Sequence, residues 1–238
     1  MGKGGGAMRK RRLIIHDDPK AVESEAFRIL RTNLEFTSPD REIKTLLITS
    51  AGAGDGKSIV SSNLAVAWAN SGRRVLLVGA DLRKPTLHRI FSVSNAPGLT
   101  SYLTGQASLE DVILDSGRRG LDLIPGGPIP PNPAELLQSK VMSDLILKLR
   151  ALYDYVIFDG TPVIAVADAM LLAHRVDGTV LVLSAYKVPK EMALYAKEQL
   201  EKAQARLLGV VLNGVRLQDQ RGYHHYFYYD ESRTEHAQ

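Results

Sequence analysis

Residues 50–58 read SAGAGDGKS, and the apolar run Leu46–Thr49 leads straight into them. Three glycines clear side chains from the point where a strand ends, so backbone N–H groups can converge on a ligand. Ser58–Asn70 then follows a helical pattern and closes at Ser71-Gly72, which turns the positive end of a helix toward the loop. Strand, glycine loop, Lys-Ser and helix form a phosphate cradle of the G-x-x-x-x-G-K-[ST] kind, with Ala51 in place of the first glycine. In such a cradle the backbone of Gly52, Ala53, Gly54, Asp55, Gly56, Lys57, Ser58 and Ile59 surrounds the phosphates of ATP. Lys57 reaches the β- and γ-phosphates and Ser58 ligates Mg2+.

Working outward, strand and helix signals alternate. Strands are expected at Val75–Val78, Leu121–Ile124, Tyr155–Phe158, Val180–Leu183 and Leu208–Leu212. Helices are expected over Pro19–Phe36, Leu109–Leu114, Pro133–Leu149 (capped by Asn132), Ala167–His174 and Pro189–Gln204. The strands are apolar throughout rather than alternating, so both faces are buried. Interleaved helices then imply a three-layer α/β fold, a mostly parallel central sheet flanked by helices, as in P-loop NTPases. The expected organisation is a flexible basic arm over 1–17, one P-loop domain over 18–215 and a flexible tyrosine-rich tail over 216–238.

With 238 residues, 45% of them apolar, the chain can bury a sizeable core, and its longest apolar runs fall far short of a membrane span. Cysteine is absent, which excludes a disulfide framework and thiolate metal sites and fits a reducing cytoplasm. The formal charge of +4 is mild and does not argue for nucleic acid. Five Lys/Arg fall within the first twelve residues, a run suited to acidic lipid or an acidic partner.

Two acids answer the glycine loop. VLLVGADLRKP ends a strand near Asp81, and YDYVIFDGTP ends another at Asp159. Carboxylates at the C-terminal ends of parallel strands face the crevice where ligands bind. Beside a phosphate loop they can hold magnesium and take a proton from an attacking hydroxyl. Arg83 reads as a phosphate contact or a salt bridge, and Asn213, ending the last strand, as a base-contacting amide or a turn residue.

Together, Ala51–Ser58, Val78–Pro85 and Val156–Pro162 resemble the bacterial tyrosine kinases that govern capsule and exopolysaccharide synthesis, a P-loop class with deviant Walker motifs. The likeness extends from about Glu23 to the C-terminus, through NPAELLQS, VADAMLLA and GVVLNGV. It implies a protein-tyrosine autokinase using ATP and Mg2+, with Lys57, Asp81 and Asp159 as catalytic groups and Ser58, Asp81 and Asp159 around the metal. The family's E-x-x-R-x-x-R motif corresponds to Glu25, Arg28 and Arg31, which implies a ring-like homo-oligomer. Their spacing of three is expected to put all three on one helical face. Tyr223, Tyr226, Tyr228 and Tyr229 fall within seven residues of the tail, and by resemblance they are phosphoacceptors used in trans. Four phosphates would add about −6 to −8 charge and repel a docked tail.

The resemblance further implies a membrane adaptor of polysaccharide export as activator, sugar-metabolism enzymes as further substrates, and a cytoplasmic chain held at the inner membrane face through its partner. Two departures stand out. Gly79 occupies the place of the first acid of the family's D-x-D, and Gly160-Thr161 replaces the commoner residues after the Walker B acid. The first departure raises a second reading, a catalytically weakened ATP-binding regulatory relative. A third, a partitioning-type P-loop ATPase, requires a lysine five residues before Lys57, where Gly52 stands.

Overall fold

The computed structural model describes residues 13–37 and 42–216, and in it the expected alternation becomes a seven-stranded sheet with helices on both faces. The first half of the chain forms α1 (Ile14–Asp17), α2 (Val22–Phe36), β1 (Thr45–Ser50), α3 (Lys57–Asn70), β2 (Val75–Gly79), α4 (Leu87–Phe91), α5 (Leu99–Leu103), α6 (Leu109–Val112), β3 (Leu114–Arg118) and β4 (Leu121–Ile124). It continues with α7 (Pro133–Gln138), α8 (Lys140–Leu152), β5 (Tyr155–Pro162), α9 (Asp168–Ala173), β6 (Gly178–Ser184), α10 (Lys190–Lys202) and β7 (Leu207–Asn213). The strand order is β3-β4-β2-β5-β1-β6-β7, and every pairing is parallel except β3 with β4.

The apolar strands serve two cores at once, because successive side chains point to opposite faces. Leu46, Ile48, Val75, Leu77 and Ile157 join one core with α1–α4. Leu47, Leu76, Val78, Val156 and Phe158 join the other, with α5–α10. α3 is buried nearly all round, Trp68 included. Its buried polar side chains are answered locally: Ser62 Oγ donates to the Ser58 carbonyl at 2.6 Å, and Asn63 Nδ2 to that of Ile59 at 2.9 Å.

Three expectations need correction. α1 lies inside the stretch read as a flexible arm yet packs on the core: Leu13 and Ile15 are buried, and Ile15 N–H donates to Asn63 Oδ1 at 3.2 Å. The helix expected over Pro133–Leu149 is two helices. Ser139, at φ −60 and ψ 157, ends α7 by donating to the Leu136 carbonyl and starts α8 by accepting the Met142 N–H. The helix expected over Leu109–Leu114 stops at Val112, and residues 114–118 form an antiparallel edge strand instead. The basic run of residues 1–12 and the tyrosines of the tail lie outside the described residues.

At the N-terminal rim of the sheet, one carboxylate ties three segments. Asp177 accepts the N–H groups of Lys44 and Thr45 at 3.0 and 2.9 Å, the Thr45 hydroxyl at 2.9 Å, and the Arg150 guanidinium. Asp154 does similar work there, accepting the Arg74 N–H at 2.8 Å.

Candidate active site

The opposite rim gathers what the sequence singled out. Register places Asp159 of β5 beside Ile48 of β1 on one side and Gly79 of β2 on the other. The Ala80 N–H donates to the Asp159 carbonyl at 2.9 Å, which brings Asp81 to the same place. α3 begins at Lys57, and its ammonium lies 3.0 Å from Asp81 Oδ2, 3.5 Å from Asp159 Oδ1 and 3.2 Å from Ser58 Oγ. Of the three groups expected to carry catalysis, Lys57 therefore contacts both of the others.

Their electrostatics follow from burial. Desolvation is the largest single influence on Lys57 and pushes its pKa down, but the charges and hydrogen bonds of Asp159 and Asp81 together outweigh it and the ammonium is held above its ordinary value. Desolvation pushes the fully buried Asp159 carboxyl up, and Lys57 and Ser58 recover only part of that shift. Two carboxylates face one ammonium, so the cluster carries excess negative formal charge.

That excess suits a divalent cation. Among the described residues no three His, Cys, Asp or Glu form a metal-binding group, so a cation here would rely on one or two carboxylates, the Ser58 hydroxyl and phosphate oxygens. This is how Mg2+ is commonly held. Ser58 is placed by neighbours: Thr86 Oγ1 donates to its Oγ at 3.0 Å. Asp81 is fixed through its other oxygen, which accepts the Lys84 N–H at 3.0 Å.

The phosphate loop is closed from within and braced from without. Gly54 and Gly56 adopt φ of +81 and +95, conformations that favour glycine. The buried Asp55 carboxylate accepts the Gly52 N–H at 2.7 Å, and Ser50 Oγ donates to the Gly52 carbonyl at 2.8 Å. From outside, Asn213 Nδ2 donates to the Asp55 carbonyl at 2.9 Å and Lys187 Nζ to the Ala53 carbonyl at 3.1 Å. A Cβ at Gly56 would stand 2.0 Å from Asn213 Nδ2. Two expected phosphate donors are thus engaged by the chain itself, Gly52 by Asp55 and Ile59 by the Gly56 carbonyl at 3.0 Å. Asn213, read as a base-contacting amide or a turn residue, uses its Nδ2 to brace the loop.

Arg83 takes the salt-bridge alternative. Its guanidinium forks onto Asp168 at 2.8 and 3.0 Å, and that carboxylate is buried. The E-x-x-R-x-x-R residues divide as well. Glu25 and Arg28 pair at 2.7 Å on the exposed side of α2, whereas Arg31 donates to the Ala67 carbonyl at 3.3 Å and lies 3.9 Å from Glu35. A step of three falls short of a 3.6-residue turn, so each step rotates the side chain by about 60°. The third residue has drifted off the face of the first.

The two departures have structural counterparts. A Cβ at Gly79 would stand 2.9 Å from the backbone nitrogen of Gly126, in the loop after β4. A Cβ at Gly160 would stand 2.6 Å from Leu47 Cδ1. The neighbouring Thr161 hydroxyl is buried with no hydrogen-bond partner among the described residues. Sequence reasoning missed Lys187, Thr86 and Asp168. Thr86 follows directly on the motif that held Asp81, and Asp168 opens a helix already expected. Lys187 sits in a turn with no motif of its own.

Comparison with known proteins gives one answer. A family profile described as AAA domain matches residues 43–201. The tyrosine-protein kinase YwqD of Bacillus subtilis is 47% identical over 224 residues, 94% of each chain. The putative tyrosine-protein kinase CapB of Staphylococcus aureus is 39% identical over 219 residues, 92% of this chain and 95% of its own. Among solved structures, the kinase domain of the Escherichia coli tyrosine kinase ETK superposes with a TM-score of 0.83 at 38% identity, covering 86% of this chain and 80% of that one.

Proposed function

The chain belongs to the bacterial tyrosine kinases, and on that footing we propose that it phosphorylates the tyrosines of its own kind of tail, in trans within an oligomer, to regulate capsule or exopolysaccharide synthesis. It is a protein-tyrosine kinase with a nucleotide-binding P-loop. The observation that carries the site assignment is the buried Lys57 ammonium between Asp81 and Asp159, at the head of α3 and the ends of β2 and β5.

In phosphoryl transfer the tyrosine oxygen forms a bond to the γ-phosphorus, the bond to the β–γ bridging oxygen breaks, and the tyrosine proton leaves. Lys57 turns from its carboxylates to the phosphates and stabilises charge on the leaving oxygen. Ser58, with Asp81 or Asp159, would hold Mg2+, which would supply further neutralisation of the phosphates. A tyrosine hydroxyl has a pKa of about 10 and needs a proton acceptor. Asp159, its proton affinity lifted by burial, and Asp81 are the acceptors at hand, because Gly79 offers none.

Assembly is assigned to the exposed side of α2. The Glu25–Arg28 pair lies there, and α2 and β7 together line an apolar groove of about 360 Å³. No helix among the described residues is long and apolar enough to cross a membrane. The family resemblance supports attachment to the membrane through an adaptor, helped by the basic run at the N-terminus.

The test is mass spectrometry of the tail after exposure to magnesium-ATP. Phosphate is expected on one or more of Tyr223, Tyr226, Tyr228 and Tyr229, and none with Lys57→Met alone. Mixing Lys57→Met with a tail-less active chain should place phosphate on the inactive one. Intact nucleotide binding without phosphotyrosine, with an adaptor's cytosolic segment supplied, would favour the weakened regulatory relative.

A further inference from the structure

The turn after β6 reaches across the sheet to the phosphate loop. Tyr186 adopts φ +62, a left-handed conformation that bulky residues avoid and that tends to persist where function over-determines it. The next residue, Lys187, is exposed, yet its ammonium donates to the Ala53 carbonyl at 3.1 Å and stands 3.2 Å from where a Gly54 Cβ would be. The turn is secured on both sides. Val188 N–H donates to the Ser184 carbonyl at 3.1 Å, Ala185 N–H to that of Asn213 at 2.8 Å, and the Arg216 guanidinium covers the Tyr186 ring at 5.2 Å.

The carbonyl and the N–H of one trans peptide group point in opposite directions. An anchored Ala53 carbonyl therefore aims the Gly54 N–H away from Lys187, just as Asn213 on the Asp55 carbonyl aims the Gly56 N–H. We propose that Lys187 is a positioning residue of the nucleotide site: it sets the Ala53–Gly54 peptide plane before nucleotide arrives, without touching the reacting atoms. The proposal rests on the nucleotide reading of the loop. Loop amides serve the phosphates that ATP and ADP share, so both nucleotides must feel the loss of the anchor.

Calorimetry of the full chain with magnesium-ATP and magnesium-ADP tests this. Lys187→Ala should weaken both by about 5- to 10-fold, the worth of one solvent-open charge-assisted hydrogen bond. KM for ATP should rise by the same factor with kcat within about twofold, since uniform binding is lost. Lys187→Arg should recover most of the loss, and the melting temperature without nucleotide should not move. Unchanged affinity for both nucleotides overturns the proposal. So does a loss confined to ATP, which would mean direct contact with the γ-phosphate, or a loss matched by a lower melting temperature. If the unaltered chain binds neither nucleotide, this proposal and the nucleotide reading fall together; if it binds both and Lys187→Ala binds them equally tightly, only the positioning role falls.

Discussion

Aspartates stand at both rims of the same parallel strands, and the fold treats them in opposite ways. At the N-terminal rim Asp177 is saturated by two backbone N–H groups, a hydroxyl and a guanidinium. At the C-terminal rim Asp81 and Asp159 share one ammonium, and Asp159 is more deeply buried than Asp177. The first carboxylate completes a structure, whereas the second pair is left short of positive charge. Physical completeness, rather than residue type or burial, separates the structural acid from the two proposed for function.

Exchanging one member at each rim should break the molecule in different ways. Asp177→Ala leaves the Arg150 guanidinium and two amides unanswered and should cost about 3 kcal/mol of stability in urea denaturation, with nucleotide affinity unchanged. Asp159→Asn should lower autophosphorylation by about 10²-fold or more while stability holds within about 1 kcal/mol. The pH profiles should diverge too. Burial pushes Asp177 up, but the N–H groups, hydroxyl and guanidinium outweigh it and its pKa is depressed. Its contribution is therefore full above an unfolded value of about 3.9 and is lost as pH falls through the lower folded value. Asp159 is raised by burial, so its ionisation erodes stability as pH rises from about 4 through the folded value. Asp159→Asn should remove that erosion, and Asp177→Ala should flatten the acid limb.

Gly79→Asp adds a third acid to the rim that already has an excess. The loop carrying Gly126 must shift to admit it, and stability should fall by about 1–3 kcal/mol. Unchanged stability in urea would show that the rim has room for the acid found in relatives, and would weaken the contrast. The smallest effect is expected at Thr161, whose hydroxyl is buried without a partner. Thr161→Val keeps the shape and should be neutral or stabilising by up to about 1 kcal/mol in thermal melts, because no hydrogen bond is lost. A loss larger than that would reveal an acceptor for the hydroxyl.

The sheet and the centre of the site were legible because both rest on short-range patterns. Uniformly apolar strands told of burial on two faces, correctly except at the edge strand β7. There Val210 and Leu212 are exposed because no further strand or helix among the described residues covers them. Lys57, Asp81 and Asp159 each sit where a strand ends or a helix begins. What stayed hidden depends on long-range contact or on single residues. Residues 114–118, with Asp, Ser, Gly and Arg, carry no strand pattern; their pairing with β4 decides it. Ser139 reads as helix until its hydroxyl is seen capping α8. Arg31 obeyed its motif in spacing but not in direction. Lys187 meets Ala53 across 134 positions of sequence, a juxtaposition that the parallel pairing of β1 with β6 creates.

The clasp of Arg216 over Tyr186 has a bearing on how the end of the sheet communicates with its middle. It fastens the residues just after β7 to the turn whose Lys187 holds the Ala53 carbonyl. A load applied at Arg216 would therefore reach the glycine loop by way of that turn.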